Sequence, residues 1–144
     1  MGLNKLLNQT LFIDTAPLIY FIEGHSQYHK QLLEIFEAND KGDINFQTST
    51  LTLLEVLVQP MKLNQLKLAD QYEKILMNSS HIDIYDIDVG ISRQAAKLRA
   101  EYNLKTPDAI QMGTALQKNA DFFFTNDIDL KRVSEIEVLT LKEI

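Results

Sequence analysis

Short apolar runs alternate along this chain with stretches in which apolar residues recur every three or four positions. Leu11, Phe12 and Ile13 form a run too short for a helix, closed by Asp14, and Pro17 soon afterwards suits the first turn of a helix. A strand therefore feeds a helix. From about Tyr28 to Ala38 the apolar positions Tyr28, Leu32, Ile35 and Phe36 keep helical spacing, and Asn39 to Gly42 supply a stop. A second strand runs through Ile44 to Gln47. Ser49 or Thr50 then caps an apolar helix from Leu51 to Val58, which Pro60 ends or kinks.

Leu66 to Met77 is again amphipathic, and Ile82 to Ile87 reads as a third strand. Val89 to Tyr102 forms a helix carrying Arg93, Lys97 and Arg99. Thr106 and Pro107 open another that runs to about Asn119, with Thr106 as its N-cap. Phe122, Phe123 and Phe124 make a buried strand ending at Thr125, and a last strand lies near Val138. Strands alternating with helices predict an α/β fold, a three-layer α/β/α sandwich around a central parallel sheet. Ligand sites in such sheets form outside the carboxyl ends of the strands. Asp14 and Asp127 both fall there.

Composition narrows the class. With 144 residues, 45% of them apolar, the chain suits one domain over 1–144 with one sizeable core, and no Gly, Pro or Ser-rich linker divides it. Asn4, Lys5, Asn8 and Gln9 break up the first leucines, so a secretory signal is not expected, and no apolar stretch reaches membrane-spanning length. The absence of cysteine excludes disulfides and thiolate metal sites and fits a cytoplasmic protein. The formal charge of −6 argues against broad phosphate neutralisation, the usual route to nucleic-acid affinity. Setting aside four acids that belong together leaves −2.

Those four are Asp14, Glu55, Asp108 and Asp127. Each has an ordinary explanation: Asp14 as a helix cap, Glu55 as a partly exposed residue on a narrow polar strip with Thr52 and Gln59, Asp108 as a first-turn acid favoured by the helix dipole, Asp127 as a turn former after Thr125 and Asn126. Glu55 interrupts Leu51, Leu53, Leu54, Val56, Leu57 and Val58 in a helix apolar nearly all round, so it is expected to be buried and to need a partner. Together they come from distant elements that a parallel sheet can bring to one end. Carboxylates crowded in a partly dehydrated pocket raise one another's pKa values unless a divalent cation holds them ionised. All-oxygen ligation points to Mg²⁺ or Mn²⁺ rather than Zn²⁺.

Four short motifs carry a family resemblance over nearly the whole chain, Leu11 to Ile144: Leu-Phe-Ile-Asp-Thr ending at Thr15, Ser-Thr-Leu-Thr-Leu-Leu-Glu-Val from Ser49 to Val56, Lys-Thr-Pro-Asp-Ala-Ile-Gln from Lys105 to Gln111, and Phe-Phe-Thr-Asn-Asp ending at Asp127. In order and spacing the chain resembles PIN-domain proteins, specifically the VapC-type toxins of bacterial toxin–antitoxin pairs. The resemblance implies a metal-dependent endoribonuclease. Its acidic set falls on Asp14, Glu55, Asp108 and Asp127, with Thr125 as a supporting hydroxyl, and Asp14 and Asp108 as direct ligands of Mg²⁺ or Mn²⁺. It further implies an RNA substrate, a cognate antitoxin covering the acidic groove, and a homodimer. Arg99 is similar in position to a basic residue often found near the family's site. Many relatives carry an aromatic residue shortly after the last Asp, whereas Ile128, Asp129 and Leu130 follow here.

Other readings stay open at this stage: a PIN nuclease of RNA processing without an antitoxin, or a PIN-like binding module without catalysis. A haloacid-dehalogenase-type phosphatase needs a second Asp two residues after the first, where this chain has Ala16. His25 and His29 have a spacing that could seat zinc, but the acidic residue of a metalloprotease motif is missing between them.

Overall fold

The structure, a computed structural model, describes residues 2–144; Met1 lies outside them. Five strands form the sheet: β1 (Thr10–Ile13), β2 (Asn45–Ser49), β3 (Ile82–Tyr85), β4 (Phe122–Thr125) and β5 (Glu137–Thr140). All neighbouring pairs are parallel, in the order β3-β2-β1-β4-β5. Six helices connect them: α1 (Thr15–Ile22), α2 (His29–Asp40), α3 (Thr50–Lys62), α4 (Leu66–Asn78), α5 (Val89–Tyr102) and α6 (Thr106–Gln117). This is the α/β/α sandwich that the alternating pattern predicts.

The pleat sorts the strand residues between two cores, because successive side chains of a strand face opposite ways. Leu11, Ile13, Phe122, Phe124 and Leu139 join Phe46 and the apolar sides of α1 to α4 on one face. Phe12, Phe123 and Val138 meet α5 and α6 on the other. There the Phe12 and Phe123 rings stack at 5.2 Å and 3° between adjacent strands. A Cβ on Gly113 would lie 3.1 Å from the Ala95 backbone nitrogen, so a side chain there would force α6 away from α5.

Several predicted boundaries shift. β3 stops at Tyr85, leaving Asp86 and Ile87 in the link to Asp88, which caps α5 by accepting from the Ile91 amide at 2.8 Å. Pro60 does not end α3, which runs on to Lys62; so close to the helix terminus, only one intrahelical bond is lost. Lys105, not Thr106, occupies the N-cap of α6 and makes no side-chain cap bond, so Thr106 is already helical. Asn64, Asn103 and Asn119 follow helices with positive φ, the conformation that Asn tolerates better than most residues. The turn after Asp127 contains no aromatic residue but is anchored: Leu130 is buried while Ile128 points outward.

Candidate active site

From β1 the chain winds outward through β2 to β3, then crosses back to place β4 on the other side of β1. The carboxyl ends of β1 and β4 therefore border the switch point of the sheet, where connecting helices diverge and leave a crevice. The Asp14 amide donates to the Phe124 carbonyl at 2.9 Å, which pins the exit of β1 to β4.

Here an open hollow of about 240 Å³ is lined by Asp14, Thr15, Glu55, Pro107, Asp108 and Gln111. Asp14 arrives from the end of β1, Glu55 from the second turn of α3, and Asp108 from the first turn of α6. One Asp14 oxygen accepts from the Thr15 amide at 2.9 Å, so Asp14 does cap α1; the other accepts from the Thr125 hydroxyl at 2.8 Å. The capping role and the site position are compatible. Thr125 is buried, and its oxygen also accepts from the Asp127 amide at 3.1 Å. Asp127 lies outside the hollow proper, on an exposed turn, where its carboxylate accepts from the Asp129 amide at 3.0 Å. Its charge still reaches Asp108.

Glu55 is less enclosed than a helix apolar nearly all round implies. α3 is not packed on all sides, since Leu54 and Val58 are 58% and 47% exposed. Glu55 is accordingly half-buried at the edge of the helix's packed side. Its partner is the Thr15 hydroxyl, which donates to it at 2.7 Å. Thr15 and Gln111 both stood in the quoted motifs without a role, because nothing local in the chain reveals a bond to a residue 40 positions away. Arg99 lies on the α5–α6 side, its Nε donating to the Leu104 carbonyl at 2.9 Å, and lines a different groove with Thr106. His25 and His29 belong to ring stacks with Tyr20 and Phe21, respectively.

Electrostatics set Asp14 and Asp108 apart. Burial pushes the Asp14 carboxyl above its ordinary range, against the lowering effect of the Thr125 and Thr15 hydrogen bonds, and the charges of Asp108 and Glu55 push the same way. Asp108 is also raised, first by burial and then by Asp127, with Lys105 opposing. The ion pairs among the described residues, Lys5–Glu137, Lys74–Asp70, Lys131–Glu143 and Arg132–Asp129, include none of the four acids. Hard, partly dehydrated carboxylate oxygens short of positive charge suit a small divalent cation. Among the described residues no group of three or more His, Cys, Asp and Glu side chains is close enough to form a full cage.

A raised acid binds its proton more readily in the folded than in the unfolded chain, so folding stability falls as pH rises between the two pKa values. The penalty from Asp14 is complete above its folded-state pKa and disappears as pH falls towards the ordinary value of 3.8. In chelator-treated protein, the stability advantage of an Asp14→Asn variant over wild type should be largest near neutrality and shrink on acidification. Urea unfolding of both across that range checks it, and a gap independent of pH contradicts it.

The PIN domain family model matches residues 11–136. No curated protein sequence matches the chain. Solved structures do. A toxin–antitoxin complex from Klebsiella pneumoniae contains a chain 29% identical, aligned over 93% of this chain and 99% of that one with a TM-score of 0.69. VapBC2 from Rickettsia felis, bound to a DNA fragment from its promoter, aligns over 91% and 98% at 20% identity and a TM-score of 0.71. VapC20 from Mycobacterium tuberculosis, a Sarcin-Ricin loop cleaving toxin, aligns over 89% and 98% at 15% identity and 0.72. No helix among the described residues is long and apolar enough to cross a membrane.

Proposed function

Because the chain belongs to the PIN-domain family, we propose that it is a Mg²⁺- or Mn²⁺-dependent endoribonuclease and the toxin of a cytoplasmic toxin–antitoxin pair. The observation that carries this reading is one hollow at the switch point lined by Asp14, Glu55 and Asp108, with Asp14 tied through Thr125 to Asp127.

Asp14 and Asp108 are the residues we assign to direct metal contact, with Glu55 and Asp127 completing the shell or acting through bound water. Mg²⁺ commonly takes one or two carboxylates and keeps several waters, so a site that does not close into a three-carboxylate cage suits it. When bound, such an ion polarises the phosphodiester, lowers the pKa of a coordinated water and stabilises the departing 3′ oxygen. The chain's own part is geometric and electrostatic. Thr125 fixes the rotamer of Asp14 by donating to one oxygen, while the Thr15 amide holds the other. Thr15 orients Glu55 by the same means, leaving its second oxygen to accept a proton from water. No His or Lys lines the hollow.

Exposed Leu54, Val58, Met61, Leu63 and Leu66 form an apolar surface on α3, α4 and their connection, next in sequence to Glu55. Surfaces of this kind are commonly covered by a protein partner. We propose a cognate antitoxin as a partner of the chain, in line with the toxin–antitoxin complexes among its structural neighbours, and a homodimer as its own assembly.

Purified protein should cleave RNA with Mg²⁺ or Mn²⁺ and leave it intact in EDTA, and its unregulated expression should arrest growth. Uncut RNA at millimolar Mn²⁺, with no metal-induced rise in melting temperature, would favour a non-catalytic binding module. Cleavage without growth arrest would favour an RNA-processing nuclease.

A further inference from the structure

Beneath the hollow runs a buried polar chain that the mechanism above does not use. The Ser49 hydroxyl donates to Oε1 of Gln111 at 2.5 Å, and Nε2 of Gln111 donates to the Thr52 hydroxyl at 2.6 Å. The Thr52 and Thr48 hydroxyls lie 2.9 Å apart, and Thr48 donates to the Ile13 carbonyl at 3.0 Å. A hydroxyl has one proton. With the Thr48 proton on Ile13, the Thr52 proton completes the contact with Thr48, so all the bonds run in one direction and polarise one another. Thr48, Ser49, Thr52 and Gln111 are each at most 2% exposed.

Where this chain attaches is what matters. Ile13 precedes Asp14, Thr52 lies one helical turn before Glu55, and Gln111 lies one turn after Asp108. The three elements that carry the hollow's acids are thus joined to one another immediately behind those acids. Two of these groups serve the backbone, since the Ser49 hydroxyl also caps α3 by accepting from the Leu51 amide at 3.2 Å and Thr48 serves the Ile13 carbonyl. The bonds of Thr52 and Gln111 run only to other side chains, where apolar residues of similar shape could fill the same space.

We propose that Thr52 and Gln111 are positioning residues, which set the separation of Asp14, Glu55 and Asp108 for a divalent cation through the Ile13–Thr48–Thr52–Gln111–Ser49 chain. The inference rests on the metal-site reading above.

Calorimetric titration of Mn²⁺ into wild type, Thr52→Val and Thr52→Ser tests it. Thr52→Val keeps the shape and loses the hydroxyl; it should stay folded by circular dichroism and bind Mn²⁺ about 10- to 100-fold more weakly, as losses behind a ligand shell commonly do. Thr52→Ser should restore binding to near wild type. In RNA cleavage at saturating Mn²⁺, Thr52→Val should lower kcat and leave KM for RNA nearly unchanged. A folded Thr52→Val protein with wild-type affinity, or a serine variant as impaired as the valine one, would overturn the proposal. Should Thr52→Val not fold, Gln111→Met is the second probe, with the same weakening expected. Failure of both to fold would equally overturn it, because the chain would then be holding the fold and not the acids' spacing. Wild type that binds no Mn²⁺ refutes the metal-site reading itself; wild type that binds while Thr52→Val binds equally well refutes only this inference.

Discussion

An Asp14→Asn variant is expected to lose metal-dependent RNA cleavage by more than about a hundredfold, the upper end of what outer-shell losses alone produce, while its ion-free form melts above wild type. Both effects have one origin. Asp14 is crowded by burial and by two neighbouring acids, so its charge is unfavourable in the folded chain until a cation compensates it. Asparagine has nearly the same shape. Its carbonyl can accept from the Thr15 amide and its NH₂ can donate to Thr125 Oγ1, which reverses the second bond and leaves the buried Thr125 proton to turn to another acceptor. The charge is what disappears. A fluorogenic RNA assay alongside melting curves in EDTA measures the pair of effects. Full activity in the variant would refute the metal role, and a lower melting temperature would mean that the Thr125 bond outweighs the relief of repulsion.

Phe123→Ala is expected to cost ~3–5 kcal/mol of folding stability, the range for truncating a fully buried aromatic residue. Phe123 has no exposed surface, stacks on Phe12, and sits where β4 meets the α5–α6 layer. That layer has little freedom to collapse into a void, because α5 and α6 already touch backbone to backbone at Gly113. Urea unfolding at matched pH gives the number. A loss under ~1 kcal/mol would mean that the face repacks freely, contrary to the close approach at Gly113.

Much of this architecture is legible in the chain itself, and for a physical reason. Runs such as Leu11–Ile13 and Phe122–Phe124 are short, apolar and bounded by polar residues, which a strand buried on both faces requires. Asp14 follows the first run directly and Asp127 follows the second after Thr125 and Asn126, so their common end of the sheet follows from parallel topology. Legibility fails where partners are remote. Glu55 looked enclosed because its neighbours are leucine and valine, yet Leu54 and Val58 face outward, and a pattern of residue types does not say which apolar surface is left uncovered. The hydroxyls of Thr15 and Thr52 and the amide of Gln111 read as unremarkable helix residues. Their significance lies in bonds spanning 40 positions for Thr15–Glu55 and 59 for Gln111–Thr52, which no local signal encodes.

The pairing of β4 with β1 joins residues 111 positions apart at Thr125 and Asp14. Translation delivers them in that order, amino-terminal half first. A nascent polypeptide that already carries Asp14, Glu55 and Asp108 still lacks the threonine that orients the first of them, and it lacks the final acid as well. Should the enzyme cut RNA as proposed, it gains that competence only after β4 has been made and has docked against β1.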